Sequence, residues 1–243
     1  MPRPKLLAET TDLLHAILGP ELAGLTVSRA VVGLFFTGVM LSDGSTGAAA
    51  TPLRELREAV CCPSSAGAMP LPGKLAGRPA ADLLRQLDAP DPIRRAVGVA
   101  AMNALAAAAW GRRPSPAVTL EPGVDAYDAA RIRPGERVVV VGAFVPFLKA
   151  LKAAGQDWTV LEQDQATLKP DELAHFRPAN EAAAVLPGAD VVLITGTTLL
   201  NDTLAELLGL ARPDARVVVV GPTVACCRMC CWRAGRIFWA ASG

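Results

Sequence analysis

The most constraining feature of the sequence is the segment LPGADVVLITGTTLLNDTL at residues 186–204. A polar turn leads into an apolar run at 191–194 that is short, rich in β-branched residues and bounded by turn residues. Such a run is typical of a strand buried on both faces of a parallel sheet. Hydroxyl residues and then leucines at helical spacing follow. A strand, a hydroxyl-rich loop and a helix predict the ligand-binding edge of an open α/β sheet, although the threonines could serve only as helix caps.

Similar runs recur through the second half of the chain. We predict buried strands at 137–141, 158–161, 191–194 and 216–220, and helical segments separate them. Alternating strands and helices give right-handed βαβ units and a doubly wound sheet. A proline-rich loop at 112–123 precedes the first strand. We therefore predict an α/β chain whose second domain, residues 113–243, is a doubly wound parallel-sheet domain.

The first domain, residues 1–112, has a different pattern. We predict a helix over 6–18, a strand over 25–36 that turns at Thr37-Gly38 into a short strand, a hairpin at Asp43-Gly44 and a third strand near 47–51. Two helices follow, at 79–87 and 91–110. This order indicates a small α+β domain.

Asn103 interrupts the apolar second helix, and it either fixes a loop or reaches a ligand. We favour the loop role because a buried amide needs partners.

Composition excludes several classes of protein. The formal net charge is +1, and no basic stripe or aromatic–basic alternation is present, so nucleic acid is not an expected partner. The most apolar helical stretch, residues 97–110, is too short to span a bilayer, and no membrane association is expected. The N-terminus lacks the apolar core of a signal peptide. We therefore expect a cytoplasmic protein with reduced thiols.

Four predicted strand ends should meet at one edge of the parallel sheet, which is the binding crevice of such folds. In the predicted site, Thr197 and Thr198 donate hydrogen bonds to an anionic or carbonyl group and Glu162 accepts one. The candidate ligand-binding residues are Gly142, Phe144, Phe147, Glu162, Thr195, Gly196, Thr197, Thr198, Asn201, Gly221, Pro222 and Thr223.

The loop after the first of these strands is not a dinucleotide fingerprint. Only Gly142 of the GxGxxG pattern is present, and Phe144 and Phe147 stand where a backbone would approach pyrophosphate. Glu162, twenty residues later, has the spacing of a ribose-binding acid. An aromatic ring or compact ligand fits the phenylalanines better than NAD does, unless both are core residues. An enzyme acting on a nucleotide or aromatic heterocycle, with Glu162 as anchor or base, is the alternative function. The sequence does not reveal a reaction.

Six cysteines occur in three adjacent pairs. The candidate metal ligands are Cys226, Cys227, Cys230 and Cys231, and Cys227 and Cys230 have the Cys-x-x-Cys spacing that lets two thiolates reach one ion. Thiolates select soft metals, so the candidate ion is zinc or copper. Adjacent cysteines would strain a closed four-thiolate site, and the alternative is that they are small buried apolar residues.

Four segments resemble the family described as putative heavy-metal chelation proteins, whose function is unknown. They are IRRAVGVAAMNAL at 93–105, VVVVGAFVPFLKAL at 138–151, ADVVLITGTTLLNDTL at 189–204 and VVVVGPT at 217–223. The resemblance implies a first domain similar to the enolase N-terminal domain, a Rossmann-like second domain and a site between them.

The same resemblance implies that the partner is a metal ion or a metal-related small molecule. The sequence departs from the family after residue 223, where CCRMCCWRAGRIFWAASG replaces a proline- and leucine-rich segment, so the cysteines are not carried over as family ligands. Residues 237–239 are expected to form a last strand. The oligomeric state, including a homo-oligomer, stays open, and a scaffold without a ligand is a third functional alternative.

Overall fold

The chain forms two compact units. The computed structural model describes residues 5–52, 73–115, 118, 121, 123–229 and 237–240. Unit 1 comprises Met1–Thr119 and Pro222–Arg233, and unit 2 comprises Leu120–Gly221 and Ala234–Gly243. The predicted mixed α/β class, with an antiparallel sheet before a parallel one, is confirmed. The return of residues after 221 to unit 1 was not expected from the sequence.

Unit 1 contains a three-stranded antiparallel sheet in the order β1-β2-β3. Its helices and strands are α1 (Lys5–Leu18), β1 (Val27–Val32), β2 (Phe36–Leu41), β3 (Thr46–Ala50), α2 (Ala80–Leu83) and α3 (Pro92–Arg112). Helix α3 begins after Asp91, whose carboxylate accepts the backbone N–H of Arg94 at 2.8 Å, an N-cap that satisfies an orphan donor. In the described part of the chain, no helix combines the length and apolarity needed to cross a membrane.

The sheet packs on α3 at very close range. A Cβ atom on Gly47 of β3 would lie 2.2 Å from the backbone nitrogen of Ala104 and 2.3 Å from the carbonyl oxygen of Ala100. Only a residue without a side chain fits there, and only small residues on α3 allow the backbones to approach so closely. This contact accounts for the alanine-rich composition of the helix.

The expected turn at Thr37-Gly38 is wrong. Strand β1 ends at Val32, the turn occupies residues 33–35, and the N–H of Gly33 donates to the carbonyl of Phe36 at 3.0 Å. Thr37 lies inside β2, is fully buried, and shares a 3.0 Å hydroxyl–hydroxyl hydrogen bond with Thr51. The sequence suggested a turn because a glycine follows Thr37. The Thr37 hydroxyl can be buried inside the sheet because Thr51 gives it a hydrogen-bond partner. The predicted hairpin turn at Asp43-Gly44 is confirmed.

The buried side-chain amide of Asn103 joins the segment Pro222–Met229 to the rest of unit 1. We call this segment, which comes back to unit 1 after the parallel sheet, the return segment. The side-chain nitrogen of Asn103 lies 2.7–3.0 Å from the carbonyl oxygens of Ala48, Pro222 and Thr223. Its side-chain oxygen accepts the N–H of Cys226 at 2.7 Å. The segment Pro222–Met229, a run of 3₁₀ turns, is therefore fixed against α3 and β3. The loop role expected for Asn103 is confirmed.

Unit 2 is built on a six-stranded sheet with the order β6-β5-β4-β7-β8-β9. All five strand pairings are parallel. Its helices and strands are α4 (Ala126–Ala129), β4 (Val138–Val141), α5 (Val145–Ala153), β5 (Trp158–Glu162), β6 (Phe176–Pro178), α6 (Ala182–Val185), β7 (Val191–Thr195), α7 (Leu204–Leu210), β8 (Arg216–Val220) and β9 (Ile237–Ala240).

The order of the sheet is that of the doubly wound dinucleotide-binding folds, 3-2-1-4-5-6 when its strands are counted along the chain. The direction of winding reverses between β4 and β7, where Val141 pairs with Ile194. The carboxyl ends of these two strands are therefore level. The helix expected directly after Thr198 begins later: a 3₁₀ turn spans Gly196–Leu199, and α7 starts at Leu204.

The amino ends of β4, β7 and β8 are tied together by one residue, Asp190. Asp190 accepts the backbone N–H of Arg137 at 2.8 Å and a guanidinium N–H of Arg212 at 2.6 Å. Its own backbone carbonyl accepts the N–H of Arg216 at 3.0 Å. The N–H of Arg137, followed by the charge of Arg212, holds the pKa of the Asp190 carboxyl below its usual value.

Replacement of Asn103 by alanine should destabilise the protein by about 3 kcal/mol, because several buried backbone groups would lose their partner. Asn180→Ala, at an exposed position of unit 2, should change stability by less than about 0.5 kcal/mol. Urea unfolding followed by circular dichroism measures both. Equal stability of the two variants would show that the Asn103 hydrogen bonds contribute nothing net.

Asp190→Asn should reduce stability at neutral pH and lose this effect in acid. Because the folded-state pKa is lowered, the ionised carboxylate stabilises the fold above its unfolded pKa of about 3.9, and this contribution disappears as the pH falls through the folded-state value. Thermal unfolding between neutral and strongly acidic pH should show the two proteins converging in acid. Asp157→Asn, which alters an exposed carboxylate of the same unit, is the control. A gap between wild type and Asp190→Asn that is independent of pH would contradict the expectation.

Candidate functional site

The site centres on the two loops that leave β4 and β7. Gly142, directly after β4, has a φ of +88°, and a Cβ atom there would lie 2.5 Å from Cγ2 of Thr195. The loops therefore touch where the winding of the sheet reverses, which is the position of the binding crevice in open α/β sheets. Two of the residues predicted from the sequence, Gly142 and Thr195, are thus neighbours.

Glu162 ends the adjacent strand β5 and contacts the same loop. Its Oε2 atom accepts the backbone N–H of Ala143 at 2.7 Å, and its Oε1 atom accepts the N–H of Gln163 at 2.7 Å. In dinucleotide-binding folds, the loop after the first strand turns its N–H groups toward phosphate oxygens. Here a carboxylate of the protein binds one of those N–H groups, so a negative charge lies beside the place where pyrophosphate would bind.

The two phenylalanines have different environments. Phe147 is only 4% exposed and packs in the core of unit 2 against Tyr127, with ring centroids 5.8 Å apart. Phe144 meets the Phe147 ring edge-on at 4.7 Å and remains 36% exposed. Phe144 and the neighbouring Val145, 43% exposed, therefore supply apolar surface at the mouth of the β4 loop.

Two threonines of the β7 loop differ in their exposure to solvent. Thr198 is buried, and its hydroxyl donates to the carbonyl of Thr195 at 2.7 Å. Thr197 is exposed, with its hydroxyl 3.2 Å from that of Thr195. Gly196 is buried between them. The hydroxyl hydrogens of both Thr197 and Thr198 are therefore used within the loop, contrary to the expectation that they donate to a ligand, and only Thr197 is exposed.

The turn before α7 carries Asn201, a further polar residue of the predicted set. The side-chain oxygen of Asn201 accepts the hydroxyl of Thr203 at 2.7 Å, and the next residue, Asp202, has a φ of +64°. Sequence reasoning missed this left-handed residue. The signal was available, because Asn and Asp are the side chains that tolerate that conformation best.

The predicted residues after β8 are separated by the boundary between the units. Gly221, with a φ of +117°, ends the unit 2 segment. Pro222 and Thr223 belong to unit 1. Thr223 is 2% exposed, and its hydroxyl oxygen accepts the N–H of Ala50 at 2.9 Å. The structure thus groups the β4, β5 and β7 residues in unit 2 and places Thr223 in the interior of unit 1.

The predicted metal ligands lie in unit 1 where the structure describes them. Cys226 and Cys227 are fully buried, whereas Cys230 and Cys231 lie outside the described residues. Within the described ranges, no group of three His, Cys, Asp or Glu side chains is arranged to hold a metal ion. Two buried adjacent cysteines do not by themselves fit a metal centre. The four-cysteine site stays a prediction.

Comparison with known proteins gives two family matches with one description. Residues 15–106 and residues 125–236 each match a family described as "Putative heavy-metal chelation". An uncharacterized protein of Methanocaldococcus jannaschii is 31% identical over 144 residues, which are 58% of this chain. The match spans about half, 51%, of the length of that relative.

Two solved structures of proteins of unknown function from the second matched family share the fold. The protein from Pyrococcus horikoshii has a TM-score of 0.63 at 19% identity, covering 90% of this chain and 80% of that chain. The protein from Desulfitobacterium hafniense has a TM-score of 0.64 at 24% identity, covering 89% of this chain and 79% of that chain. At these identities the likeness concerns the fold alone.

The contact between Gly142 and Thr195 can be tested by a double-mutant cycle. Gly142→Ala should cost about 3 kcal/mol or more, because it combines a left-handed backbone with a steric clash. Thr195→Ser removes Cγ2 and should restore part of that loss in the double variant. Gly221→Ala, which has positive φ but nothing within 4 Å of the new Cβ, should cost only about 1–2 kcal/mol. Urea unfolding measures all four. Strict additivity would contradict the contact.

Proposed function

We propose that this protein binds a metal-related small molecule at the β4–β7 crevice of unit 2, because residues 15–106 and residues 125–236 each match a family described as "Putative heavy-metal chelation". The crevice is the set of loops after β4, β5 and β7, which carry Gly142, Phe144, Glu162 and residues 195–198. The hydrogen bond from Ala143 to Glu162 is the observation that carries the proposal.

That hydrogen bond bears on the charge of the ligand. A carboxylate on the phosphate-binding face of the β4 loop repels an anion and attracts a cation. An ionised carboxylate offers about four lone-pair positions, and backbone N–H groups use only some of them. Glu162 can therefore accept a further hydrogen bond from a ligand or coordinate a bound cation. The arrangement favours a neutral or cationic ligand over NAD or another pyrophosphate.

The neighbouring side chains suit a small planar organic ligand. The exposed part of the Phe144 ring offers apolar surface for stacking, and the hydroxyl oxygen of the exposed Thr197 can accept a hydrogen bond at the facing loop. A metal chelate of an organic molecule combines both requirements, apolar contact and positive charge. The geometry supports binding, and we assign no reaction to it.

Two alternatives belong to the same proposal. An enzyme acting on a nucleotide or aromatic heterocycle would use Glu162 as anchor or base, and the exposed Phe144 favours the heterocycle. A soft-metal site at Cys226, Cys227, Cys230 and Cys231 would use thiolates to bind zinc or copper. A cytoplasmic location, where such thiols stay reduced, is part of the proposal.

The test is binding of five probes to the purified, reduced protein: Zn²⁺, Cu(I), a pterin, ADP and NAD. We expect the pterin or a metal ion to raise the melting temperature and the nucleotides to have little effect. Glu162→Gln should weaken binding of the effective probe about tenfold, which is the loss of one charge-assisted contact. Glu206→Gln, an exposed acid on α7, is the matched control.

The remaining outcomes separate the alternatives. Tight NAD or ADP binding by the wild type would overturn the charge argument. Metal binding that survives Glu162→Gln and disappears when the four C-terminal cysteines become serine would move the site to the cysteines. Native mass spectrometry of the same samples gives the metal content per chain.

A further inference from the structure

The most exposed apolar surface of the described chain is one hairpin of unit 1. Val31 is 48% exposed, Leu34 65%, Phe35 71% and Phe36 52%. These four side chains form the hairpin patch, at the end of β1, in the turn and at the start of β2. The largest apolar patch on a typical monomer covers about 300–600 Å² and is often functional. The patch is remote in sequence from the residues of the β4–β7 crevice.

The open edge of the antiparallel sheet lies beside the hairpin patch. On the opposite edge, the N–H of Ala50 in β3 donates to Thr223. The start of β1 is also covered, because Val27 exchanges 2.8 Å hydrogen bonds with Gly77 and Arg78. Over residues 29–33, the outer side of β1 has no hydrogen-bond partner among the described residues. An uncovered edge strand with apolar side chains is a template for another strand.

Strand register identifies which backbone groups are available. Gly33 bonds to Phe36 across the hairpin, and β1 pairs with β2 residue by residue from there. Since hydrogen-bonded and non-hydrogen-bonded pairs alternate in an antiparallel ladder, Val31 faces β2 with its backbone groups. Ala30 and Val32 direct theirs away from the sheet. Among the residues that the structure describes, the backbone N–H and C=O groups of Ala30 and Val32 thus have no partner on this edge.

We propose that a second copy of this chain pairs with this edge, antiparallel, about a twofold axis at Val31. In that register Ala30 lies opposite the second copy's Val32, and Val32 opposite its Ala30. The two residues of each pair exchange both backbone hydrogen bonds. The two sheets become one six-stranded sheet, and the two Val31 side chains meet at the axis beside both Phe36 rings.

The position of the Arg29 charge favours this register and favours a second copy of the chain as the partner of the edge. Arg29 carries the charge of the free edge, and in this register it lies opposite the second copy's Gly33, four residues along from the other Arg29. The two positive charges are therefore not opposed. Because Gly33 has no side chain, the guanidinium can reach the Phe36 ring that pairs beside it, a cation–π contact. In this register the edge pairs with its own copy without an acidic partner for Arg29.

The area that the hairpin patch can bury limits the affinity of the dimer. With about 200 Å² for a fully exposed phenylalanine, the hairpin patch offers on the order of 400 Å² of apolar surface per copy. A standard interface buries about 800 Å² per partner. The backbone edge and Arg29 add to the patch but do not double it, so the dimer belongs to the weak class and depends on concentration.

Sedimentation velocity from low micromolar to near-millimolar concentration tests the proposal. We expect the wild type to approach twice the monomer mass. Val31→Lys, which opposes two like charges at the axis, and Val32→Pro, which removes an outward N–H from an edge strand, should both stay monomeric with unchanged circular dichroism. Leu173→Lys, at an exposed leucine of unit 2, should dimerise like the wild type.

A crosslink tests the register itself. In a non-hydrogen-bonded pair the Cα atoms are about 4.5 Å apart, which a disulfide can span. Oxidised Val31→Cys should therefore give a peptide linked between the two copies at residue 31, and Ala30→Cys should not, with oxidised wild type as the control. A wild type that remains monomeric throughout, or a dimer that persists in both Val31→Lys and Val32→Pro, would overturn the proposal.

Discussion

A single buried amide holds unit 1 together. Asn103 supplies hydrogen bonds to backbone groups of Ala48, Pro222, Thr223 and Cys226, so α3, β3 and the return segment share one side chain. Each group would be costly to bury unpaired. Its partners lie up to 123 residues away in the sequence, and such long-range closures are the slow steps of folding. The close contact of Gly47 with α3 depends on the same alignment of helix and sheet.

Most of the fold was predictable because its signals are local. The valine runs identified β4, β7 and β8, and Asp43-Gly44 identified a hairpin, since buried parallel strands and tight turns each demand particular residues. Strand β6, Phe176–Pro178, was missed because it is a short edge strand with a proline. The return of residues 222–233 to unit 1 was missed because it depends on Asn103, a tertiary contact without a local signature. The likeness of the first domain to enolase stays a prediction.

The candidate site was predictable in outline and not in detail. Parallel strands deliver their carboxyl ends to one edge, so the meeting of Gly142 with Thr195 followed from the strand assignments. The spacing of Glu162 suggested contact with ribose, whereas the structure gives its carboxylate the N–H of Ala143. Phe144 and Phe147 look equivalent in the sequence, and only packing distinguishes the exposed ring from the buried one. The roles of these residues toward a ligand stay predictions.

The discontinuity of unit 1 has a consequence for how such proteins evolve. One family match ends at residue 106 and the other begins at residue 125, so the two look like separable modules. The second match nevertheless carries Pro222–Met229, which completes the first unit through Asn103. A gene fusion or fission at that boundary would transfer part of one folding unit into the coding sequence of the other. A chain cut at that boundary would therefore leave unit 1 without the segment that Asn103 binds.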